Sequence, residues 1–251
     1  MAMKTLRERR DEQAAFVLHT YPYRETSVIV ETLTEEHGRV ALVARGAKRP
    51  RSELRGVLQA FQPLTLSWAG TAELKTLVKA EWRGGFPLPG GAALLCGFYL
   101  NELLLKLLPR EDPHPVLWNA YAETLLALTH DARPAAQAVT LRRFEVRLLA
   151  ELGYALVLDH DVDTRAPIDP AQRYHYAFDR GPRRLVAEPH ASFPVVRGTT
   201  LIALATERYP DSDTATEAKR LMRCVLDHYL EERRIFSRRV VQDLAALEDD
   251  K

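Results

Sequence analysis

Six cations fall between Arg39 and Arg55: Arg39, Arg45, Lys48, Arg49, Arg51 and Arg55, opposed by a single acid, Glu53. Lys75 and Lys79 add two more further along. Cations at this density neutralise phosphates, and such contacts carry no base information. A single strand also needs flat groups on which bases stack. Tyr21, Tyr23, Phe61 and Trp68 are the nearby candidates. The competing reading is a solvated charged face over an ordinary core. Trp68 alternates in step with Leu64 and Leu66, which assigns it to that core.

A second set of cations lies towards the C-terminus. Arg142, Arg143 and Arg147 form one group, and Lys219, Arg220 and Arg223 another. Arg143 with Arg147, and Lys219 with Arg223, are four residues apart and share a helical face. Phe144, Leu221 and Met222 stand beside them. Cations rimming an apolar groove suit an acidic peptide with aromatic or aliphatic ends. Ordinary surface ion pairing is the alternative use.

Other chemistry is absent from the sequence. There is no phosphate-binding G-x-x-x-x-G-K-[ST], no G-x-G-x-x-G after a strand, no G-x-S-x-G and no H-E-x-x-H. No catalytic residues are assigned and no enzyme activity is expected. Asp159, Asp161 and Asp163 imitate the first ligands of a calcium loop. Thr164 stands where that loop needs Gly, and Pro170 where it needs Glu, so the string reads as a solvated acidic turn. Cys96 and Cys224 are too few for a disulfide framework or a four-cysteine zinc site. They read as inert buried thiols in a reducing compartment. No cofactor and no metal is expected.

The chain has 251 residues, 46% of them apolar and 27% charged, with a net charge of +1. That excludes collagen-like, low-complexity and wholly disordered chains, and also a globally basic nucleic-acid binder. A local basic patch is compatible with it. Residues 1–13 are a polar extension without the apolar core of a signal peptide. The longest apolar run, Ala92–Leu108, is interrupted by Asn101, Glu102 and Lys106 and is too short for a membrane span of about 20 residues. A cytoplasmic protein with no membrane partner is expected.

The elements that must position these residues come in two textures. Period-two alternation marks five strands: Ala14–Thr20, Thr26–Leu33, Gly38–Gly46, Pro63–Ala69 and Glu73–Trp82. In the last, Leu74, Thr76, Val78, Ala80 and Trp82 share a face, and Lys75 and Lys79 project opposite. Five short strands with tight turns predict a small antiparallel barrel. The one long connection, Ala47–Gln62, holds Leu54, Val57, Leu58 and Phe61 in one or two helical turns. The run Phe86-Pro87-Leu88-Pro89-Gly90-Gly91 breaks the chain. Helices are then predicted at Ala92–Leu108, His114–Thr129, Ala135–Leu152, Thr199–Arg208, Thr214–Glu232 and Ser237–Leu247. Thr214 and Glu217 have capping-box spacing, and Ser237 is placed as an N-cap. Between Asp159 and Arg197 a hairpin around Arg180-Gly181-Pro182 interrupts a stretch that otherwise reads as loop. The fold class is α+β. Residues 1–83 form a barrel domain of the oligonucleotide-binding kind, and 84–251 a mainly helical domain with a small hairpin insertion at 159–197.

The order of several segments resembles the RecO family of DNA repair and recombination mediators. They are Ala15–His19, Tyr23–Ser27, Leu33–Arg39, Val43–Arg49, Leu54–Phe61 and Gly70–Leu77. Tyr99–Leu103, Leu141–Glu145 and Leu152–Tyr154 continue the match, and Ser237-Arg238 resembles a closing Lys-Ser-Arg, with Phe236 in place of the Lys. The match is dense over 14–82, moderate over 97–158 and 199–244, and weak between.

The resemblance implies an N-terminal OB-fold and a C-terminal helical domain. It implies binding of single- and double-stranded DNA and annealing of complementary strands. It also implies work with RecR, and in some bacteria RecF, in loading RecA onto DNA coated by single-strand binding protein. The acidic C-terminal tail of that protein is a further implied ligand, and a nucleoid-associated cytoplasmic location follows. Some members carry a four-cysteine zinc motif in the helical domain; here 159–197 contains no cysteine. On this reading Arg39, Arg45, Lys48, Arg49, Arg51, Arg55, Lys75 and Lys79 bind DNA. Arg142, Lys219, Arg220 and Arg223 hold the acidic tail, and Arg142→Glu should abolish tail binding with the fold intact. A DNA-free interaction scaffold, an RNA-binding OB-fold and an unrecognised hydrolase are the alternatives.

Overall fold

Alternating Val, Leu and Ala residues on five strands turn inward and close a barrel. The strands are β1 (Arg9–Tyr23), β2 (Ser27–Thr34), β3 (Gly38–Ala44), β4 (Pro63–Ala69) and β5 (Leu74–Trp82). In this computed structural model, which describes residues 8–186, 193–231 and 233–238, their order around the barrel is β1-β2-β3-β5-β4. β3 and β5 run parallel, and every other neighbouring pair is antiparallel. This is the OB-fold barrel. Val17, Val30, Val40, Leu42, Leu64, Leu66, Trp68 and Leu77 fill it. The one-turn helix α1 (Leu54–Val57) lies in the β3–β4 connection, where Leu54, Val57, Leu58 and Ala47 stop one end of the barrel.

Two expectations for these strands are corrected. β1 begins at Arg9, so Arg9–Gln13 is strand paired with β4 rather than extension. On β5, a bulge pairs Ser67 with Lys79 but Trp68 with Leu77. The extra residue, Val78, reverses the alternation. Leu77 therefore enters the core, while Val78 and Trp82 are exposed. Lys75, on the inward parity of Leu77, is buried.

The outer face of β1 is covered in turn by helices α2 (Ala92–Leu107) and α3 (Pro115–His130). Phe16 packs 4.8 Å from the Trp118 ring and 5.2 Å from that of Tyr121. The bulge at Val17/His19 leaves the Leu18 carbonyl to accept from Asn101 Nδ2 at 2.8 Å, and Tyr121 donates to Asn101 Oδ1 at 2.6 Å. Asn101, which interrupts an otherwise apolar helix, is thus a buried joint between α2, α3 and the barrel. Gly97 on α2 lies against the Phe61 ring, in space a methyl group would fill. Past α2, Arg110 bridges Glu31 and Glu73, and the Glu111 N–H donates to the Arg39 carbonyl at 2.9 Å. Gly38, at φ +63°, lets this segment approach; a side chain there would strike the Asp112 carbonyl.

The chain divides by packing into two compact units. One comprises Met1–Thr129 with Ile235–Lys251, the other His130–Arg234. In the first, Glu102 accepts from the Phe236 N–H at 2.7 Å, the Ser237 N–H at 2.8 Å and the Ser237 hydroxyl at 2.7 Å. Lys106 stands 4.8 Å from the centre of the Phe236 ring. The C-terminal segment is tied to α2 in this way, with Phe236 as a cation–π partner of Lys106. Ser237 spends its hydroxyl on Glu102; the rest of the helix expected at Ser237–Leu247 lies outside the described residues beyond Arg238.

The second unit holds α4 (Pro134–Glu151), α5 (Gly198–Thr206) and α6 (Ser212–Leu230). It also holds a three-stranded sheet of β6 (Arg173–Ala177), β7 (Gly181–Arg184) and β8 (Val195–Arg197), in the order β7-β6-β8. A hairpin forms in the expected stretch, but its turn is at 178–180: Gly181 and Pro182, expected in the turn, belong to β7, and β8 is a third strand in a stretch read as loop. Phe144, Leu148, Leu201, Leu221, Met222 and Val225 are buried here. The expected capping box is not formed. Asp211 caps α6, accepting from the Thr214 N–H at 2.6 Å. Glu217 instead takes the Arg197 N–H at 3.1 Å and the Thr200 hydroxyl, closing the start of α5. Cys96 and Cys224 are half-buried and not joined in a disulfide.

Two buried carboxylates organise this unit. Asp161 is buried, not solvated as its acidic string suggested. It accepts from the Asp163 and Thr164 N–H groups at 2.9 and 2.8 Å, from the Thr164 hydroxyl at 3.0 Å and from the Arg184 N–H at 2.6 Å. Burial alone would raise its pKa, but the four donors hold it below the ordinary carboxylate range. The other is Glu145 on α4, fully buried and paired with Arg142, itself 7% exposed. No helix among the described residues is long and apolar enough to cross a membrane.

Asp161→Asn is expected to cost about 1–3 kcal/mol at neutral pH, because an amide presents donors to N–H groups that need an acceptor. The lowered folded-state pKa means that this advantage is full above the unfolded value of about 3.8 and is lost as pH falls through the folded one. Denaturant midpoints of the two proteins should therefore converge below about pH 4. Arg142→Glu buries two like charges together; urea denaturation should show a loss of about 3–5 kcal/mol or no folded unit at all.

Candidate nucleic-acid interface

α2, α3 and the 109–113 segment engage one part of the outer face of β1, β2 and β3. The remainder of that face is open. A groove of about 830 Å³ lies across β3, β5 and the β1–β2 turn, lined by Tyr23, Arg24, Arg45 and Arg49, by the single acid Glu25, and by Ser27, Val43, Leu74 and Thr76. Tyr21, 43% exposed, follows on β1 in the same alternation as Tyr23. Phe61 and Trp68 are buried and are removed from the stacking candidates.

The 45–55 loop is folded by its apolar residues. Ala47, Leu54, Val57 and Leu58 plug the barrel. Backbone bonds from Lys48 to the Thr26 carbonyl at 2.9 Å and from Arg49 to that of Gly46 at 3.0 Å fix the turn. Gly46 takes φ +71°, and the Arg49 side chain passes over it. Arg45, Lys48, Arg49, Arg51 and Arg55 are all exposed. Among the described residues none of these five forms an ion pair. Cations held this close together, with only Glu25 and Glu53 nearby, give the loop a locally positive field.

Three cations grouped with them by sequence are placed otherwise. Arg39 is half-buried, 3.3 Å from Glu31, and burial pulls its pKa down against the pull of that carboxylate. Lys75 donates to Glu111 and, at 3.3 Å, to the Ala72 carbonyl. Lys79 lies 2.7 Å from Glu81, with Glu12 also near. Each is answered by an acid; Glu81 stands two residues from Lys79 on the same strand face, whereas Glu111 is far from Lys75 in sequence and is reached because of the bulge at Val78. Arg24, which the sequence reading passed over, joins the groove. It occupies the β1–β2 turn at φ +52°, its guanidinium 5.2 Å from the Tyr23 ring centre. Its signal was position: a cation beside an aromatic in a turn next to a basic loop.

The four helical cations are not brought to one groove. Arg142 is buried on Glu145, so its use as a surface contact, and the intact fold expected of Arg142→Glu, are corrected. Its neighbour Arg143 reaches Glu207 at 2.6 Å. Lys219, Arg220 and Arg223 are exposed on α6, Arg223 standing 3.8 Å from Asp227. A groove of about 430 Å³ is lined by Arg173, Phe178, Phe193, Pro194, Val195, Arg220 and Cys224, and contains Arg220 alone of the four. Among the described residues no group of His, Cys, Asp and Glu is placed to hold a metal ion.

Comparison with known proteins agrees with this architecture. The family described as Recombination protein O N terminal matches residues 9–86, the barrel, and Recombination protein O C terminal matches 90–239. The DNA repair protein RecO of Aromatoleum aromaticum is 50% identical over 242 residues, covering 96% of this chain and 99% of that protein. That of Nitrosospira multiformis is 49% identical over 251 residues, covering 98% and 100%. That of Dechloromonas aromatica is 49% identical over 242 residues, covering 96% and 99%. An OB-fold barrel joined to a helical domain, matched along nearly its whole length, makes this chain a member of the RecO family of DNA repair proteins.

Proposed function

We propose that this protein is a recombinational repair mediator whose barrel face and 45–55 loop bind DNA. The observation that carries the reading is the set of five exposed cations on a plugged loop, none in an ion pair among the described residues, beside a groove that Tyr23 lines and the exposed Tyr21. Arg45, Lys48, Arg49, Arg51 and Arg55 neutralise phosphates, with Arg24 in support, and the tyrosines offer stacking surfaces to a single strand. Duplex is bound through phosphates alone. Strands screened by the same cations repel each other less, so complementary strands meet and anneal. Residues 1–83 carry this surface. In the same reading residues 84–251 carry the partner contacts, and no bond is made or broken by the protein itself.

Those partner contacts are RecR, in some bacteria RecF, and the acidic tail of single-strand binding protein, and their outcome is RecA loaded onto coated DNA at the nucleoid in the cytoplasm. The groove around Phe178 and Phe193 supports the tail contact: Arg173 and Arg220 answer its acids, and the rings answer its apolar end.

Anisotropy of a labelled mixed-sequence single strand, titrated at several salt concentrations, tests the DNA reading. Four to six phosphate contacts give a slope of log affinity against log salt of about −3 to −4. Replacing Arg45, Lys48 and Arg49 together by Ala should make the slope shallower by about 2. Absence of binding at low salt, or an unchanged slope in the variant, would overturn the assignment.

A further inference from the structure

The loop's cations face two ways. Arg45 and Arg49 line the open groove beside Tyr23 and Arg24. Lys48 and Arg55 line a separate recess of about 310 Å³, with Thr20, Val28, Ala47, Leu54 and Leu58. No residue is shared between the two linings. The partition follows from the fold. The turn at Gly46 directs Arg49 back over itself, while the plug made by Leu54 and Leu58 draws Arg55 to the barrel end. The recess contains two cations and no acid among its lining residues. It is therefore suited to a polyanion, and its apolar floor of Val28, Leu54 and Leu58 tolerates sugars and base faces.

We propose that the 45–55 loop is a partition between two single-strand paths, one in the Tyr23–Arg24–Arg45–Arg49 groove and one in the Lys48–Arg55 recess. This rests on the DNA-binding reading and deepens it: one barrel holds two strands at once, with the loop's cations between their phosphates. Annealing then begins on a single chain, with the charge between the strands cancelled where they are closest. The alternative geometry is a single strand passing over the loop through both sites.

The two are separated by stoichiometry. Native mass spectrometry at low salt, with an oligothymidylate of about six nucleotides, short enough to occupy one path, should show two bound per chain. Lys48→Glu/Arg55→Glu should reduce this to one, and so should Arg24→Glu/Arg45→Glu/Arg49→Glu. The milder Lys48→Gln/Arg55→Gln guards against a folding defect and should behave as the first. Annealing of complementary strands by the Lys48/Arg55 variants should slow about tenfold or more, the effect of losing two phosphate contacts. One oligonucleotide per chain at saturation, weakened alike by both sets of changes, would overturn the two-path proposal and leave DNA binding standing. Binding of an acidic peptide but not the oligonucleotide at Lys48 and Arg55 would overturn it also, making the recess a protein site. No oligonucleotide bound at all would remove the DNA-binding reading itself.

Discussion

The burial of Ala47, Leu54, Val57 and Leu58 in the end of the barrel is the contact on which the candidate site depends. It holds Arg45, Lys48, Arg49, Arg51 and Arg55 together where their mutual repulsion would disperse them. Magnitudes decide the contest. Two unit charges about 10 Å apart in water repel by roughly 0.4 kcal/mol, and less in salt, so five such charges cost on the order of 2–4 kcal/mol. Partial burial of three large aliphatic side chains returns about 1–2 kcal/mol each. Burial is sufficient to hold the loop, but only by a modest margin. Anions that enter the grooves remove the repulsion, so the loop is expected to be firmer when phosphates are bound.

Buried polar joints play the corresponding role elsewhere. Asn101 links the Leu18 carbonyl to Tyr121, and Glu102 gathers three donors from Phe236 and Ser237. Asp161 gathers four donors, and Glu217 closes the start of α5. Asn101, Glu102 and Glu217 interrupt helices and are answered by backbone groups distant in sequence; Asp161 is answered by its own turn and by the distant Arg184 N–H. Since an unsatisfied buried polar group costs about 1–3 kcal/mol, these joints fix one arrangement of the helices and loops more than they add to raw stability. The Asp161 carboxylate provides a local centre for the stretch between α4 and β6, through the N–H groups of Asp163, Thr164 and Arg184.

Much of this was legible in sequence. The five strands and the helices over 92–152 stand within a few residues of their expected places, because alternation and helical spacing report directly on which face is buried. The basic loop was equally visible. The misreadings come from burial and pairing that periodicity does not report, whether the partner is distant, as Glu111 is from Lys75, or near, as Glu145 is to Arg142. Nothing in 73–82 announces the bulge at Val78 that turns Lys75 inward towards Glu111. Arg142 looks like any helical surface arginine until Glu145 is seen to be fully buried. Thr214 and Glu217 have capping-box spacing, yet Asp211 is the better cap and Glu217 is claimed by Arg197 and Thr200. The third strand β8 is three residues long, below the length at which alternation can be read.

The central claim is that the free cations of the loop, rather than every cation near the barrel, receive DNA. Chemical footprinting of lysine and arginine with and without saturating single-stranded DNA tests it most directly. Arg45, Lys48, Arg49 and Arg55 should be strongly protected, while Arg39, Lys75 and Lys79, already held by Glu31, Glu111 and Glu81, should react alike in both states. Protection of Lys75 and Lys79 with the loop still reactive would contradict the account and move the DNA to the opposite strands of the barrel.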